Sequence, residues 1–271
     1  MPSLNVVVLN CGYTSPVITK ARGQYSDVFA DILKPAVARH NANPATTDPV
    51  DLVIRGYDTM KQVYPPSLDG VDALIITGSP NGAYEDLPWI RTLLDYVRTV
   101  YTDHPQIKIY GSCFGHQIVC EALFRDAGAV VQKDPSGYEL GLHTVTLNEA
   151  FAARFAACLA GKKALRLQML HGDHVLLPPD VSCLPDDTLV VGATPHCSNQ
   201  GVYRAGRLLT YQGHPEFDVF MNTECLKIVG PRKGWSEEET AAAIASAQGE
   251  DDAATATDII VSFFLGEDAS L

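Results

Sequence analysis

Two stretches of the chain hold residues that could do nucleophilic chemistry together. The first is Ile107-Lys108-Ile109-Tyr110-Gly111-Ser112-Cys113-Phe114-Gly115-His116-Gln117, an apolar strand pattern that runs through G-x-C-x-G into a helical pattern. Glycines on both sides of one residue allow a sharp strand-to-helix turn that exposes its side chain, the logic of the G-x-S-x-G elbow. There the thiol of Cys113 stands at the positive end of a helix, which favours the thiolate. The backbone N–H of Phe114 then points where an oxyanion would form. The second stretch is Leu208-Leu209-Thr210-Tyr211-Gln212-Gly213-His214-Pro215-Glu216-Phe217, a strand ending in G-H-P-E. His214 and Glu216 are two apart, so in an extended segment both side chains leave the same face. The carboxylate can hold one imidazole nitrogen while the other meets a thiol. Taken singly, a buried cysteine in a βα turn and a surface histidine beside a carboxylate read the same way. Both motifs at strand ends of one chain point to a thiol nucleophile with a proton carrier.

Other residues with chemical potential read differently. His171, Asp173 and His174 have H-x-x-H spacing but no third ligand nearby in sequence, so no metal site is expected. Cys11 follows the first strand at the edge where open α/β sheets place ligands, yet reads best as a buried inert thiol. His116 is expected to pack locally. Tyr84, Tyr138 and Glu139 either line the pocket or pack on the surface.

The elements that must position these groups follow from hydrophobic periodicity. Strands are expected at 5–10, 51–55, 73–77 and 107–110, with helical spacing over 27–39, 89–101 and 114–124. Pro35 falls inside the first helical pattern and is expected to kink or end it, with a loop over 40–49. Strands separated by helices imply βαβ units. The expected fold is therefore α/β: an open, mostly parallel, flavodoxin-like sheet flanked by helices. Period-two stretches at 137–147 and 188–212 predict added antiparallel strands. Ser236 with Glu239 forms a capping box for a helix to Gln248, and 258–265 predicts an apolar C-terminal helix docked on the body. No composition shift divides the chain, so 1–271 is expected to be one domain, with helices in 236–265 packing on it.

Composition narrows the partners. With 271 residues, 46% hydrophobic and 19% charged, the chain has globular composition. Its net charge of −12, without a Lys/Arg cluster, disfavours nucleic acid and anionic membranes. No long apolar run predicts a membrane span, and Met1–Val6 does not open like a secretory signal. Seven scattered cysteines without a CxxC pair suggest reduced thiols and a cytoplasmic location.

G-S-C-F-G-H-Q followed by G-H-P-E-F resembles the class I glutamine amidotransferase domain, a Cys-His-Glu enzyme of γ-glutamyl amides. The resemblance spans residues 5–220. Within the class it is strongest to stand-alone, GMP-synthase-like amidotransferases and γ-glutamyl peptidases. Supporting stretches are Thr77-Gly78-Ser79-Pro80-Asn81-Gly82-Ala83-Tyr84 with Pro88-Trp89-Ile90, Gly137-Tyr138-Glu139-Leu140-Gly141, and Met169-Leu170-His171-Gly172-Asp173-His174-Val175. The resemblance implies that Cys113 is the nucleophile, His214 the acid/base and Glu216 its orienter. It implies an oxyanion hole of backbone N–H groups at Gly78, Ser79 and Phe114. It also implies that Gln117, Gly172 and Asp173 hold the glutamyl group. No cofactor and no metal are implied. Ser79 replaces the second glycine of the commoner Gly-Gly-Pro turn, which would strain it if that position needs positive φ.

The implied activity is hydrolysis of γ-glutamyl amide bonds, in glutamine or in γ-glutamyl peptides and glutathione conjugates, through a γ-glutamyl thioester. The 57 residues after His214 are too few for an ATP-using half, and no G-x-x-x-x-G-K-[ST] loop is present. Two alternatives stay open: a glutaminase subunit that delivers ammonia to a separate synthase chain, and a catalytically silent binding or scaffold protein of the same fold.

Overall fold

The computed structural model describes residues 1–178, 180 and 183–269. Its main sheet has seven strands. β1 (Ser3–Asn10) pairs in parallel with β2 (Asp51–Asp58) on one side and β3 (Ala73–Ile76) on the other. β4 (Lys108–Ser112) pairs in parallel with β3, and β12 (Leu208–Tyr211) in parallel with β4. β11 (Val202–Arg204) and β9 (Leu189–Val190) then extend this edge antiparallel. The spatial order is β2-β1-β3-β4-β12-β11-β9. Taken in chain order, the five parallel strands stand 2-1-3-4-5, the flavodoxin-like arrangement, which binds ligands outside the carboxyl ends of its strands.

Both faces of this sheet are covered, which explains why its strands read as apolar runs. Val6, Val8, Ile75, Tyr110 and Leu209 point into one core with Phe29 and Leu33 of α2 (Tyr25–Ala42) and Ile259 and Phe263 of α9 (Ala253–Leu265). Val7, Leu9, Leu74, Ile76 and Ile109 point into the other. There they meet Leu93 and Val97 of α3 (Pro88–Asp103) and Ile118 and Val119 of α4 (Phe114–Leu123). Of the antiparallel additions expected at 137–147 and 188–212, β9 and β11 extend the main sheet, while two further sheets also use strands outside those stretches. β10 (Gly192–Ala193), β6 (Glu139–Leu147) and β7 (Ala164–His171) make one; β5 (Val130–Lys133) and β8 (Asp173–Leu176) make the other.

Three expectations change. α2 does not end at Pro35 but continues to Ala42, with Pro35 on its exposed side. The loop expected from His40 therefore starts at Asn43. α9 begins at Ala253, five residues before the apolar run that announces it. α1 (Pro16–Arg22), capped by Ser15, and α7 (Val219–Lys233), capped by Asp218, carry no strong apolar stripe and were not expected. The short α5 (Glu149–Arg154) and α6 (Ala156–Leu159) link β6 to β7, and α8 (Glu237–Ser246) follows the predicted capping box. Among the described residues no helix is long and apolar enough to cross a membrane. All seven cysteines are free thiols.

Candidate active site

The carboxyl ends of three adjacent strands bring the candidate residues together. Tyr211 of β12 lies beside Ser112 of β4, and Gly111 of β4 beside Ile76 of β3. The next residues of each chain segment, Cys113, Gln212-Gly213-His214 and Thr77-Gly78, therefore emerge at one edge. The bond from the Cys113 N–H to the Tyr211 carbonyl (2.8 Å) fixes the first two against each other.

Cys113 occupies the turn with φ 52° and ψ −105°. It, and neither glycine of G-x-C-x-G, takes the positive φ. For a side chain with a Cβ this is costly backbone, held in place by its surroundings. The glycines serve close approach instead. A Cβ on Gly111 would stand 2.5 Å from the Gly115 carbonyl group, and one on Gly115 would stand 2.1 Å from the Ile76 oxygen. Both contacts seat α4 directly on β3 and β4. The elbow does not lift the thiol into the open as the sequence suggested: Cys113 is 7% exposed. Its N-cap position leaves the first-turn N–H groups of α4, Phe114 included, without intrahelical acceptors.

His214 lies under the same edge and is buried. Its Nδ1–H donates to Glu216 Oε1 at 2.8 Å, and the Cys113 sulfur lies within electrostatic range of the ring. Burial by itself would lower the imidazole pKa. The negative charges of Cys113 and Glu216 outweigh it and raise the value from 6.5 to about 10. Phe217 stacks flat on the ring, centroids 4.0 Å apart at 9°. The backbone is held from the second sheet, the His214 N–H donating to the Gln168 carbonyl of β7 at 2.9 Å. The Ser112 hydroxyl also donates to Glu216 Oε1, at 2.8 Å, while Glu216 Oε2 is buried without a partner.

Gly78 abuts both groups: a Cβ there would lie 3.2 Å from His214 Cε1 and 4.0 Å from Cys113 Cβ. Ser79 does not take positive φ, so its side chain brings no backbone strain. The Gly78-Ser79 turn and the start of α4 thus flank the thiol from two sides. Phe114 is buried against Trp89, ring centroids 5.7 Å apart.

Gln117, Gly172 and Asp173 also gather here. The Gln117 Nε2 donates to the Asp173 carbonyl at 3.3 Å and to Gln212 Oε1 at 3.1 Å. Gly172 is covered by the Tyr138 ring, which a Cβ would approach to 2.7 Å. Burial raises the pKa of the Asp173 carboxyl, against the opposing hydrogen bond from the Tyr84 hydroxyl. Lys133 and Lys233 lie in its electrostatic range, so the rim carries both signs. That polarity suits a zwitterionic α-amino acid end.

Several expectations find other places. Glu139 is 1% exposed and bonded to His171, Thr194 and Gln200, away from the rim where Tyr84 stands. His171 and His174 are committed to Glu139 and Asp134, and no cluster able to hold a metal exists among the described residues. His116 bonds Thr210 at 2.8 Å, and burial lowers its pKa to about 3, so its ring is neutral. Cys11 is fully buried, which pushes its thiol up to about 12. Sequence reasoning missed Ser112, Gln212 and the stacking role of Phe217. The first two are ordinary polar residues at strand ends, and only the pairing of β4 with β12 brings them to the thiol and its partners.

Comparison with known proteins shows the family and the fold. The model of the class I glutamine amidotransferase family matches residues 45–224. A glutamine amidotransferase-like protein of Schizosaccharomyces pombe is 31% identical over 87% of this chain and 88% of its own. Gamma-glutamyl peptidase 3 of Arabidopsis thaliana is 29% identical over 56% of this chain and 57% of its own. Among solved structures, a glutamine amidotransferase of Thermotoga maritima shares the fold over 100% of both chains, with a TM-score of 0.67 at 17% identity.

Proposed function

The chain belongs to the class I glutamine amidotransferase family, and from that premise we propose that it hydrolyses γ-glutamyl amide bonds by itself, with Cys113, His214 and Glu216 as its catalytic triad. One observation carries the reading: a buried imidazole stands between the Cys113 thiol and the Glu216 carboxylate at neighbouring strand ends. The likeness to γ-glutamyl peptidases supports peptide or conjugate substrates beside glutamine.

In the proposed reaction the Cys113 thiolate attacks the γ-carbonyl carbon. Backbone N–H groups of the Gly78-Ser79 turn and of Phe114 hold the resulting oxyanion, each such donor typically contributing about 3 kcal/mol. His214, doubly protonated beside the thiolate, gives a proton to the leaving amine as the C–N bond breaks, which leaves a γ-glutamyl thioester on Cys113. The neutral ring then takes a proton from water. The hydroxide adds to the thioester, the C–S bond breaks, and γ-glutamate leaves with the thiolate restored. Glu216 keeps the imidazole in one orientation through both steps. Asp173 and Gln117, with the backbone at Gly172, hold the glutamyl end. These steps use only side chains and backbone of this chain. The whole chain, 1–271, works as one unit, and its seven free thiols suit a reducing compartment such as the cytoplasm.

The test is a panel of glutamine, glutathione, an S-substituted glutathione and γ-glutamyl anilide, with the purified chain alone. Turnover of a peptide or conjugate, abolished by Cys113→Ala, is the expected outcome. Slow glutaminase that accelerates only with a second protein would favour the ammonia-delivery reading. No turnover and no labelling of Cys113 by a glutamine-derived electrophile would leave a silent fold.

A further inference from the structure

Gln212 is fully buried two residues before His214, and the reaction described above gives it no task. Its Nε2 lies 3.5 Å from Cys113 Sγ, and its Oε1 accepts the Gln117 Nε2–H at 3.1 Å. The orientation of both amides is fixed by chemistry. The Asp173 backbone carbonyl can only accept, so the Gln117 group that faces it at 3.3 Å must be the NH₂. The second hydrogen of that NH₂ meets the oxygen of Gln212. The NH₂ of Gln212 is then left facing the sulfur, and no flip of either amide satisfies all three contacts.

We infer that Gln212 is a further catalytic residue, an amide donor to the Cys113 sulfur that stabilises its thiolate, aimed by Gln117 and, through it, by the backbone of the Gly172-Asp173 loop. The sulfur thus has two donors from one strand end, His214 and Gln212. They differ in kind. The imidazole gives up its proton during the reaction, whereas an amide keeps its hydrogens throughout. A fixed donor favours the thiolate both before attack and when the thioester breaks, the two moments when charge returns to sulfur. The relay also ties the thiol to the Gly172-Asp173 turn between β7 and β8, which is proposed to hold the glutamyl end. The backbone of Gln212 is independently anchored, its N–H donating to the Gln200 carbonyl at 2.9 Å. A side-chain change therefore need not displace His214. The other titratable groups within electrostatic range of the sulfur are His214 with Glu216 behind it and the buried phenols Tyr25 and Tyr110.

The inference rests on Cys113 being the nucleophile, but its test needs no substrate. Alkylation of Cys113 by iodoacetamide, resolved from the other six free thiols by peptide mass spectrometry, is followed on the whole chain from pH 5 to 10 in wild type, Gln212→Met and Gln212→Glu, with near-UV circular dichroism as the check on folding. Loss of one hydrogen bond to an ion should slow alkylation of Gln212→Met about tenfold on the acid side and move the midpoint up about one pH unit, the rates converging at high pH. Gln212→Glu, of the same size but with an anion toward sulfur, should move it further. Gln117→Met, which frees the amide to turn, should give a smaller shift in the same direction, and it reads the inference if both Gln212 variants misfold. Folded variants with the wild-type midpoint would overturn it. Shifted midpoints without γ-glutamyl turnover would instead sink the proposed function and leave the donor role standing.

Discussion

Two of the buried imidazole–carboxylate pairs have similar geometry, His214–Glu216 at 2.8 Å and His171–Glu139 at 2.9 Å. They differ in what lies at the other end of each ring. The second nitrogen of His171 faces the Asp173 backbone carbonyl at 3.0 Å. Both of its nitrogens meet acceptors, so only the doubly protonated ring satisfies both, and removing a proton removes a bond. The second nitrogen of His214 faces a thiol that can itself give or take a proton, so the ring is satisfied in either form. The carboxylates differ to match. Hydrogen bonds from His171, Thr194 and Gln200 overcome burial and lower the pKa of Glu139 to about 2. Glu216 receives only His214 and Ser112 and keeps one oxygen bare. One pair holds the turn at Asp173; the other stands where the proposed reaction needs a shuttle.

Substitutions that confuse these two duties test the contrast. Glu216→Gln should have the largest effect, since an amide can present the wrong group to Nδ1. Turnover should fall by about 10²- to 10⁴-fold. The His214 midpoint, read by NMR, should fall below about 10 because one of the two anions that raise it is gone. An unchanged rate would sink the shuttle.

Glu139→Gln should act on stability. Breaking a buried pair costs about 3–5 kcal/mol, visible as a lower urea midpoint. The carboxyl is lowered in the folded state, so its contribution is present above its ordinary value of 4.5 and fades as pH falls toward 2. Wild type should thus lose its advantage over the variant across that window. KM should rise as the Gly172-Asp173 turn loosens, and Cys113 alkylation, which that turn reaches through Gln117, should shift by no more than in Gln117→Met. A large fall in alkylation rate would mean the two pairs are not separate devices.

Ser112→Ala should be the mildest. Glu216 keeps its bond from His214, so turnover should drop only several-fold, in line with one hydrogen bond to an ion. A loss as deep as that of Glu216→Gln would show that the hydroxyl, and not the carboxylate alone, positions the ring.

How much of this was legible in the sequence follows from how local each feature is. The elbow and the G-H-P-E strand end are contiguous, and their chemistry depends on residue type and spacing, so Cys113, His214 and Glu216 could be read directly. Four of the five parallel strands announced themselves as short apolar runs; β12 lay in the 188–212 stretch read as antiparallel, and it pairs antiparallel with β11 but parallel with β4. What could not be read is adjacency across the sheet. That β12 lies beside β4 places Gln212 against the thiol and Ser112 against Glu216, and nothing in either segment encodes it. The role of Glu139 was misread for the same reason: its partners come from β7 and from the 194–200 loop. α7 escaped because its buried side is small, Met221, Asn222 and Leu226 among charged residues, and Pro231 interrupts it.

The second sheet gives the C-terminal segment a stake in catalysis. Gln168, whose carbonyl secures the His214 backbone, spends its own side chain on Asn222 of α7 and on the Ala247 carbonyl just past α8. Cys113, the proposed nucleophile, has no hydrogen bond to that end of the chain among the described residues. Grafting residues beyond 224 from one relative onto another would therefore perturb proton transfer before it perturbed the reactivity of sulfur. Divergence in that tail is a route by which close kin could drift apart in rate while their motif letters stay the same.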